Sequence, residues 1–435
     1  MNSKEYSVQR EIGCHFQHIY LYGAGKYGKR YLELLQAEGI CVSAFITTQY
    51  EQSTYCGLPV YAVNEISPFI TERDWVILAY KGATPLEIEE KFRHVKPQII
   101  YYDSPEIRRF MKYESFFAPV VLELQKQFSN PSALKNYLLW QNILMIRLDA
   151  IGDVVCTTAL IRELKYNYPK ANLTVVVRKE TEALLRDCPY IDCLLLYESK
   201  PGKGEFIEDW KDIKSIHKKV SAYAAEHLID KHFDVVFLPT EILCGRNGVD
   251  EFLLALYSKA DCRIGHLVDC DDYRRWIYSM VKGLFSKVVY QTSPMHETLF
   301  QLEMLRNCGL AIKSEKTELW VNESSREKAE ALLREKGVNR DDALIAVGIV
   351  GSKPTRSWNP GNYNALFRTF GNNYGENVKF VILGGKDAAY AAEKLEKDGG
   401  NIVDLTGKLP LEDSVACMER CDIYIGSNTG LLHVA

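Results

Sequence analysis

The 435-residue chain lacks an excess of either charge: 53 Lys and Arg stand against 57 Asp and Glu, a formal net charge of −4. A protein that grips nucleic acid carries a basic excess or stripe, so no nucleic-acid partner is expected. There is no C-x-x-C pair among the 12 cysteines. They are too dilute for a disulfide scaffold, and Cys188/Cys193 and Cys417/Cys421 fit neither zinc nor redox spacing. They read as reduced core thiols of a cytoplasmic protein, with no metal site expected. No long apolar run is free of charge either. The richest, residues 143–161, contains Arg147, Asp149 and Asp153 and cannot be a bilayer span of about 20 residues. The opening MNSKEYSVQREIGCHF has no apolar signal segment. Repeats and low-complexity tracts are absent too. A hydrophobic share of 47% with 25% charged residues is that of an ordinary globular protein, and the length corresponds to about three domains.

What the sequence does have is short apolar runs alternating with helical patterns, the signature of parallel α/β units. In the first unit, strand His18–Tyr22 meets a glycine turn. A helix over Tyr27–Gln36 follows, with Tyr31, Leu34 and Leu35 on one face, and then strands Cys41–Thr47, Trp75–Tyr80 and Gln98–Tyr102. The second unit has strands at Ile143–Leu148, Leu173–Val177, Cys193–Tyr197 and Val235–Leu238. A polar helix, Ser324–Lys336, leads to a third with strands at Ala343–Ile349, Lys379–Leu383, Ile402–Leu405 and Ile423–Ile425. The expected domains are therefore a Rossmann-like domain over 1–110, a helical connector over 111–140, and two further α/β domains over 141–325 and 326–435. The sequence closes at Ala435 just as a helix should begin, so the last domain is expected to be incomplete.

Four strand-to-helix turns could carry chemistry. Gly23-Ala24-Gly25-Lys26-Tyr27-Gly28 is a complete G-x-G-x-x-G, in which glycines let the backbone approach a pyrophosphate at the helix N-terminus. A nicotinamide site should also place an acidic residue at the end of the second strand, and Thr47 and Thr48 stand there instead. Nucleotide binding through Gly23, Gly25 and Gly28, and mere packing of helix on strand, both remain open. In the second turn, Arg147 to Asp153, Asp153 would cap a helix starting at Val154. It would equally face the ligand crevice at the C-terminal edge of a parallel sheet. There the helix N-terminus would keep it ionised, able to take a proton as general base. The third, Gly348 to Trp358, mixes small residues with Lys353, Thr355 and Arg356, which suits phosphate oxygens but is also the make-up of a solvated loop. The fourth, Gly426 to His433, would present backbone amides to a diphosphate. His433 reads either as a ligand or as a core histidine.

From Asn142 onward the sequence resembles glycosyltransferase family 9, the family of the lipopolysaccharide heptosyltransferases. The resemblance rests on motifs in the family's order: Arg147 to Val155 with Thr157-Thr158, Tyr168-Pro169, Cys188-Pro189-Tyr190-Ile191-Asp192, Arg263-Ile264-Gly265 and His296. It continues through Thr355-Arg356-Ser357-Trp358, Leu383-Gly384-Gly385, Asp404 to Lys408 with Leu411, and Gly426 to His433. Asn428 stands where the family carries Asp, and Arg356 where it often has Lys. The resemblance implies a GT-B architecture, two Rossmann-like halves facing a cleft, with acceptor on the first and nucleotide-diphosphate sugar on the second. It also implies inverting transfer of heptose or a hexose-like sugar to a glycan or lipid-linked hydroxyl, with no metal or other cofactor required. Asp153 would be the base. Gly152, Lys353, Thr355, Arg356, Gly384, Gly385, Thr406, Gly407, Asn428, Thr429, Gly430 and His433 would line the substrates.

The first 140 residues lie outside that resemblance and look like Rossmann-like domains attached to bacterial sugar-modifying enzymes, on the strength of Leu21 to Gly28 and Gly57-Leu58-Pro59-Val60. A nucleotide could sit there. Two alternatives to transfer follow: an NAD(P)-dependent sugar oxidoreductase or epimerase run from the glycine motif, and a non-catalytic sugar-nucleotide-binding protein. The run Tyr273–Lys287 mixes aromatics with cations in a helix-like pattern. It reads either as a helix packed on its domain or as a peripheral contact with the inner face of the plasma membrane.

Overall fold

A computed structural model describes residues 18–37, 41–48, 53–79, 90–92, 98–100, 124–128, 131–132, 134, 137–198, 213–242, 245–268, 281–291, 293–351, 357–396 and 401–435. The chain divides into two compact units, the first within residues 1–126 and the second made of 127–270 and 277–435. Most of the expected connector over 111–140 lies outside the described residues.

The first unit holds a sheet of β1 (Ile19–Tyr22), β2 (Ala44–Thr47), β3 (Thr54–Tyr55), β4 (Leu58–Ala62), β5 (Trp75–Leu78) and β6 (Gln98–Ile100), in the order β3-β4-β2-β1-β5-β6. All pairings are parallel except β3 with β4. Side chains alternate between two apolar cores, because successive strand residues point to opposite faces. Ile19, Leu21, Phe45, Trp75 and Ile77 join Tyr31, Leu32 and Leu35 of helix α1 (Lys26–Ala37) on one face. Tyr20, Tyr22, Ala44, Ile46, Val76 and Leu78 fill the other. The expected strand from Cys41 begins only at Ala44, and Cys41 and Cys56 are exposed rather than core thiols. Cys56 and Gly57 form the tight β3–β4 turn, both with positive φ.

The second unit contains two parallel sheets. The larger comprises β7 (Asn142–Arg147), β8 (Asn172–Arg178), β9 (Cys193–Tyr197), β10 (Val235–Glu241), β11 (Cys262–Val268) and β12 (Lys287–Gln291), ordered β12-β11-β10-β7-β8-β9. The smaller comprises β13 (Ala343–Gly348), β14 (Val378–Leu383), β15 (Ile402–Asp404) and β16 (Ile423–Gly426), ordered β15-β14-β13-β16. β11 and β12 were not anticipated. Arg263, Gly265 and His266 break the apolar run of β11, yet Arg263 and His266 are buried. Arg263 is satisfied there by Nε donating to the Leu284 carbonyl at 2.7 Å. Lys287, expected in a helix-like run, opens β12, and Lys282–Leu284 before it is a single 3₁₀ turn whose Leu284 is buried. The remainder of that run, residues 273–280, lies outside the described residues.

Helix α2 (Ile151–Asn167) buries Val154, Val155, Ala159, Leu160, Ile161 and Leu164 in a core that also takes in Met304 and Leu305 of α5 (Glu297–Arg306). That core reaches Val415 of α9 (Leu411–Glu419), so the two sheets of this unit share apolar packing. Helices α3 (Ile213–His227) and α4 (Gly245–Tyr257) flank β10 in the chain. Asn322 caps α6 (Glu323–Glu335) through its side chain to Ser325 N–H at 2.9 Å, as Asn does at helix starts. Helices α7 (Pro360–Tyr374) and α8 (Lys386–Ala392) complete the smaller sheet, and α10 (Gly430–Val434) closes the chain. No helix among the described residues is long and apolar enough to cross a membrane.

Candidate active site

In each sheet of the second unit the chain starts in the middle and fills one side, then the other. The reversal falls between β7 and β10 in the larger sheet, and between β13 and β16 in the smaller. Ligands bind outside the carboxyl ends of strands at such a switch point. The residues after β7, β13 and β16 are three of the turns singled out by the sequence.

The last residue of β7, Arg147, is buried at 2% exposure, and its guanidinium is the hub of the first edge. Nη1 donates to Thr240 Oγ1 at the end of β10 (3.1 Å) and lies 3.4 Å from Asp149 Oδ2. Nη2 donates to Glu297 Oε1 at the head of α5 (3.1 Å) and lies 3.7 Å from Asp153 Oδ1. The Thr240 hydroxyl donates onward to Asp149 Oδ2 at 2.7 Å. Burial works against the guanidinium charge, but Asp149, Glu297, Asp153 and Glu251 more than offset it and hold Arg147 charged. Behind this row Glu251 is buried and accepts from the Leu148 N–H; burial first, then Asp149, pushes its carboxyl well above the usual range. His266 is buried and held well below the usual imidazole range, by burial and then by Arg147.

Helix α2 begins at Ile151 with Ala150 as N-cap, three residues earlier than anticipated, so Asp153 sits inside the first turn and caps nothing at Val154. Its Oδ2 instead accepts from the Ala150 N–H at 3.2 Å. The helix start was expected to keep this carboxylate readily ionised. Its pKa is raised instead: burial leads, the Arg147 charge opposes it, and Asp149 and Glu297 add to the rise. The side chain is 46% exposed, so it remains open to solvent.

The turn after β16 packs directly on the Asp153 turn. A Cβ on Gly430 would lie 2.6 Å from Ile151 Cβ, and one on Gly152 would run into the His433 ring, so both positions need glycine for the two helices to meet. His433 Nδ1 is 3.7 Å from Cys156 Sγ, one turn beyond Asp153. Thr429 caps α10 by accepting from the Leu431 N–H at 3.0 Å. Asn428 is exposed beside it. The buried Ser427 ties this turn to the loop after β13. Its Oγ accepts from the Trp358 N–H (3.2 Å), and its N–H donates to the Gly348 carbonyl (2.7 Å). Gly351 N–H to Ser357 Oγ at 2.8 Å joins the two ends of that loop. Lys353, Thr355 and Arg356, between those ends, lie outside the described residues.

Gly384, Gly385, Thr406 and Gly407 gather at the ends of β14 and β15, where the Gly407 N–H donates to the Gly384 carbonyl at 2.8 Å. Thr406 is buried, its N–H and hydroxyl both on Asp404 Oδ1 (3.0 and 2.7 Å). Other matched positions are structural in their contacts: Asp192 accepts from Lys165 and the Leu173 N–H, and His296 caps α5.

In the first unit, a Cβ on Gly28 would overlap the Gly23 carbonyl and lie 2.8 Å from Phe45, so Gly28 serves the packing of α1 on the sheet. Gly25 faces open space. At the same edge Lys91 Nζ donates to Tyr22 Oη (3.2 Å), itself 3.1 Å from Thr48 Oγ1.

Residues 256–435 match the sequence model of glycosyltransferase family 9 (heptosyltransferase). The chain is 22% identical over 298 residues to the lipopolysaccharide core heptosyltransferase OpsX of Haemophilus influenzae, covering 68% of this chain and 76% of that protein. It superposes on a family 9 glycosyl transferase of Veillonella parvula with a TM-score of 0.53 at 20% identity, over 70% of this chain and 79% of the other. On the ADP-heptose lipopolysaccharide heptosyltransferase II of E. coli the TM-score is 0.50 at 16% identity, over 68% and 81%. Over 68–70% of its length the chain thus shares the α/β architecture of these solved structures.

Proposed function

We propose that the second unit moves a heptose or hexose-like sugar from a nucleotide-diphosphate sugar to a hydroxyl of a cell-surface glycan or lipid-linked acceptor, with inversion and with Asp153 as general base. The acceptor hydroxyl gives its proton to an Asp153 oxygen as its own oxygen bonds the anomeric carbon. The bond from that carbon to the diphosphate oxygen breaks on the opposite face, and its electron pair leaves with the diphosphate. Lys353 and Arg356, with backbone donors of the Asn428-Thr429-Gly430 turn, would meet the departing charge. In this reading the chain acts in the cytoplasm on an acceptor at the inner face of the membrane.

One observation carries the reading: Gly430 is pressed on Ile151 and His433 on Gly152, so an accessible carboxylate of raised pKa and the turn after β16 of the smaller sheet lie at one edge. A base needs a pKa drawn up toward the working pH. Asp153→Asn should lower turnover by about 10²–10⁴-fold while leaving nucleotide diphosphate affinity, measured by titration calorimetry, unchanged. Undiminished turnover in that variant refutes the assignment, and NMR of the product anomer tests inversion.

A further inference from the structure

We propose that Arg147 and Glu297 are a positioning pair for Asp153, with Arg147 fixing the carboxylate and Glu297 drawing off part of the guanidinium's charge so that Asp153 stays aligned yet basic. This rests on Asp153 being the base. One guanidinium faces three carboxylates, and the distances rank them. Glu297 at 3.1 Å holds a hydrogen bond, whereas Asp149 at 3.4 Å and Asp153 at 3.7 Å hold ion-pair contacts. Glu297 is itself set in place. It stands in the first turn of α5, where the helix favours a negative charge, and its Oε1 also accepts from Gln301 Nε2 at 2.8 Å. Arg147 lies at 2% exposure behind the row, while the Asp153 and Glu297 side chains are 46% and 38% exposed. The cation is thus walled in by the groups it orients, and water is not its competitor.

The groups facing Asp153 are Arg147 and Asp149 from the β7 edge, Glu297 from α5, and the Ala150 N–H and Cys156 of its own helix region. His433 of α10 packs over Gly152 next to it. Of these, Glu297 is the one carboxylate that both lies on another element and competes for Nη2. Removing its charge leaves Asp153 as the one anion of the pair at Nη2, strengthens that ion pair and stabilises the ionised base.

The test is the pH dependence of kcat/KM in Glu297→Gln, a half-exposed isostere that can still accept from Arg147, with Glu297→Asp as the conservative variant and Asp153→Asn alongside. Glu297→Gln should move the acid limb down by about one pH unit and lower kcat, with KM for the donor unchanged, and Glu297→Asp should move the limb back toward wild type. Arg147→Lys, which keeps charge but loses the fork, should leave the limb nearer its wild-type place while lowering kcat. An acid limb in Glu297→Gln that stays put or moves up overturns the pairing. If Asp153→Asn is inactive and the limb does not move, the pairing alone fails; if Asp153→Asn is fully active, the base assignment fails first.

Discussion

Replacing Gly152 by alanine probes the contact between α2 and α10 on which the site's assembly depends. The added Cβ would overlap His433 Cδ2 and lie 3.0 Å from Cγ and Nε2, so either the ring or the helix must move. Overpacking of this kind costs about 1–3 kcal/mol. Alanine in place of a helical glycine returns about 0.5–1 kcal/mol, leaving a net loss of roughly 0.5–2 kcal/mol. His433 is exposed on its other side, so His433→Ala alone should cost within about 0.5 kcal/mol. In the double variant the obstacle is gone and the helical gain remains, so it should match or slightly exceed His433→Ala, a coupling of about 1–3 kcal/mol. Gly430→Ala with Ile151→Ala is the contrasting pair. The obstacle there is Ile151 Cβ itself, which alanine retains, so no rescue is expected. Thermal unfolding followed by calorimetry resolves this, since 1 kcal/mol moves the midpoint by about 2 °C in a unit of this size. Gly152→Ala unfolding at the wild-type temperature, or failing to recover with His433→Ala, would refute the packing.

Two other outcomes follow from buried groups. Glu251 keeps its proton in the fold to a higher pH than in the unfolded chain, where it is lost above about 4.3. Its contribution is therefore complete below that pH and declines as pH rises toward the folded value, by up to about 1.4 kcal/mol per unit. Glu251→Gln keeps an acceptor for Leu148 without titrating, so its midpoint advantage over wild type should widen from pH 5 to pH 8; a constant gap means the carboxyl is ionised in the fold. In the first unit, Gly28→Ala should destabilise that unit by more than about 2 kcal/mol, because the obstacle is backbone, while Gly25→Ala should leave its unfolding unchanged. Equal effects of the two, read in calorimetric scans, would contradict the assignment of Gly28 to packing.

Central strands of continuous apolar residues were legible because parallel sheets are covered on both faces, and Ala343–Gly348 ends one residue earlier than expected; Cys193–Tyr197, a half-buried edge strand, has the expected limits. β11 was not, because Arg263, Gly265 and His266 look polar to any pattern search while their partners come from Leu284, Phe300 and the Arg147 edge. The same reason hid half of the candidate site. Asp153 and the Gly430 turn carry local signatures, a carboxylate or glycine at a strand-to-helix turn. Thr240, Glu251 and Glu297 matter only through Arg147 and Leu148, residues 93 to 150 positions away. No local spacing encodes a contact of that reach.

The helix start and the burial at Asp153 pull in opposite directions, and which wins decides whether the residue suits the work proposed for it. A helix N-terminus favours a carboxylate by about 0.3–1 kcal/mol when exposed, and the Ala150 N–H adds to that. Against this stand burial and two more carboxylates, Asp149 and Glu297, held around the same guanidinium. A single cation cannot satisfy three anions, so each added carboxylate makes the last ionisation harder. Asp153 is the most exposed of the three and the farthest from Arg147, and is therefore the member whose proton is least tightly governed by the pair. An edge built only to bury Arg147 would need one carboxylate at hydrogen-bonding distance, which Glu297 supplies. The surplus negative charge is what turns a structural ion pair into a surface able to accept a proton.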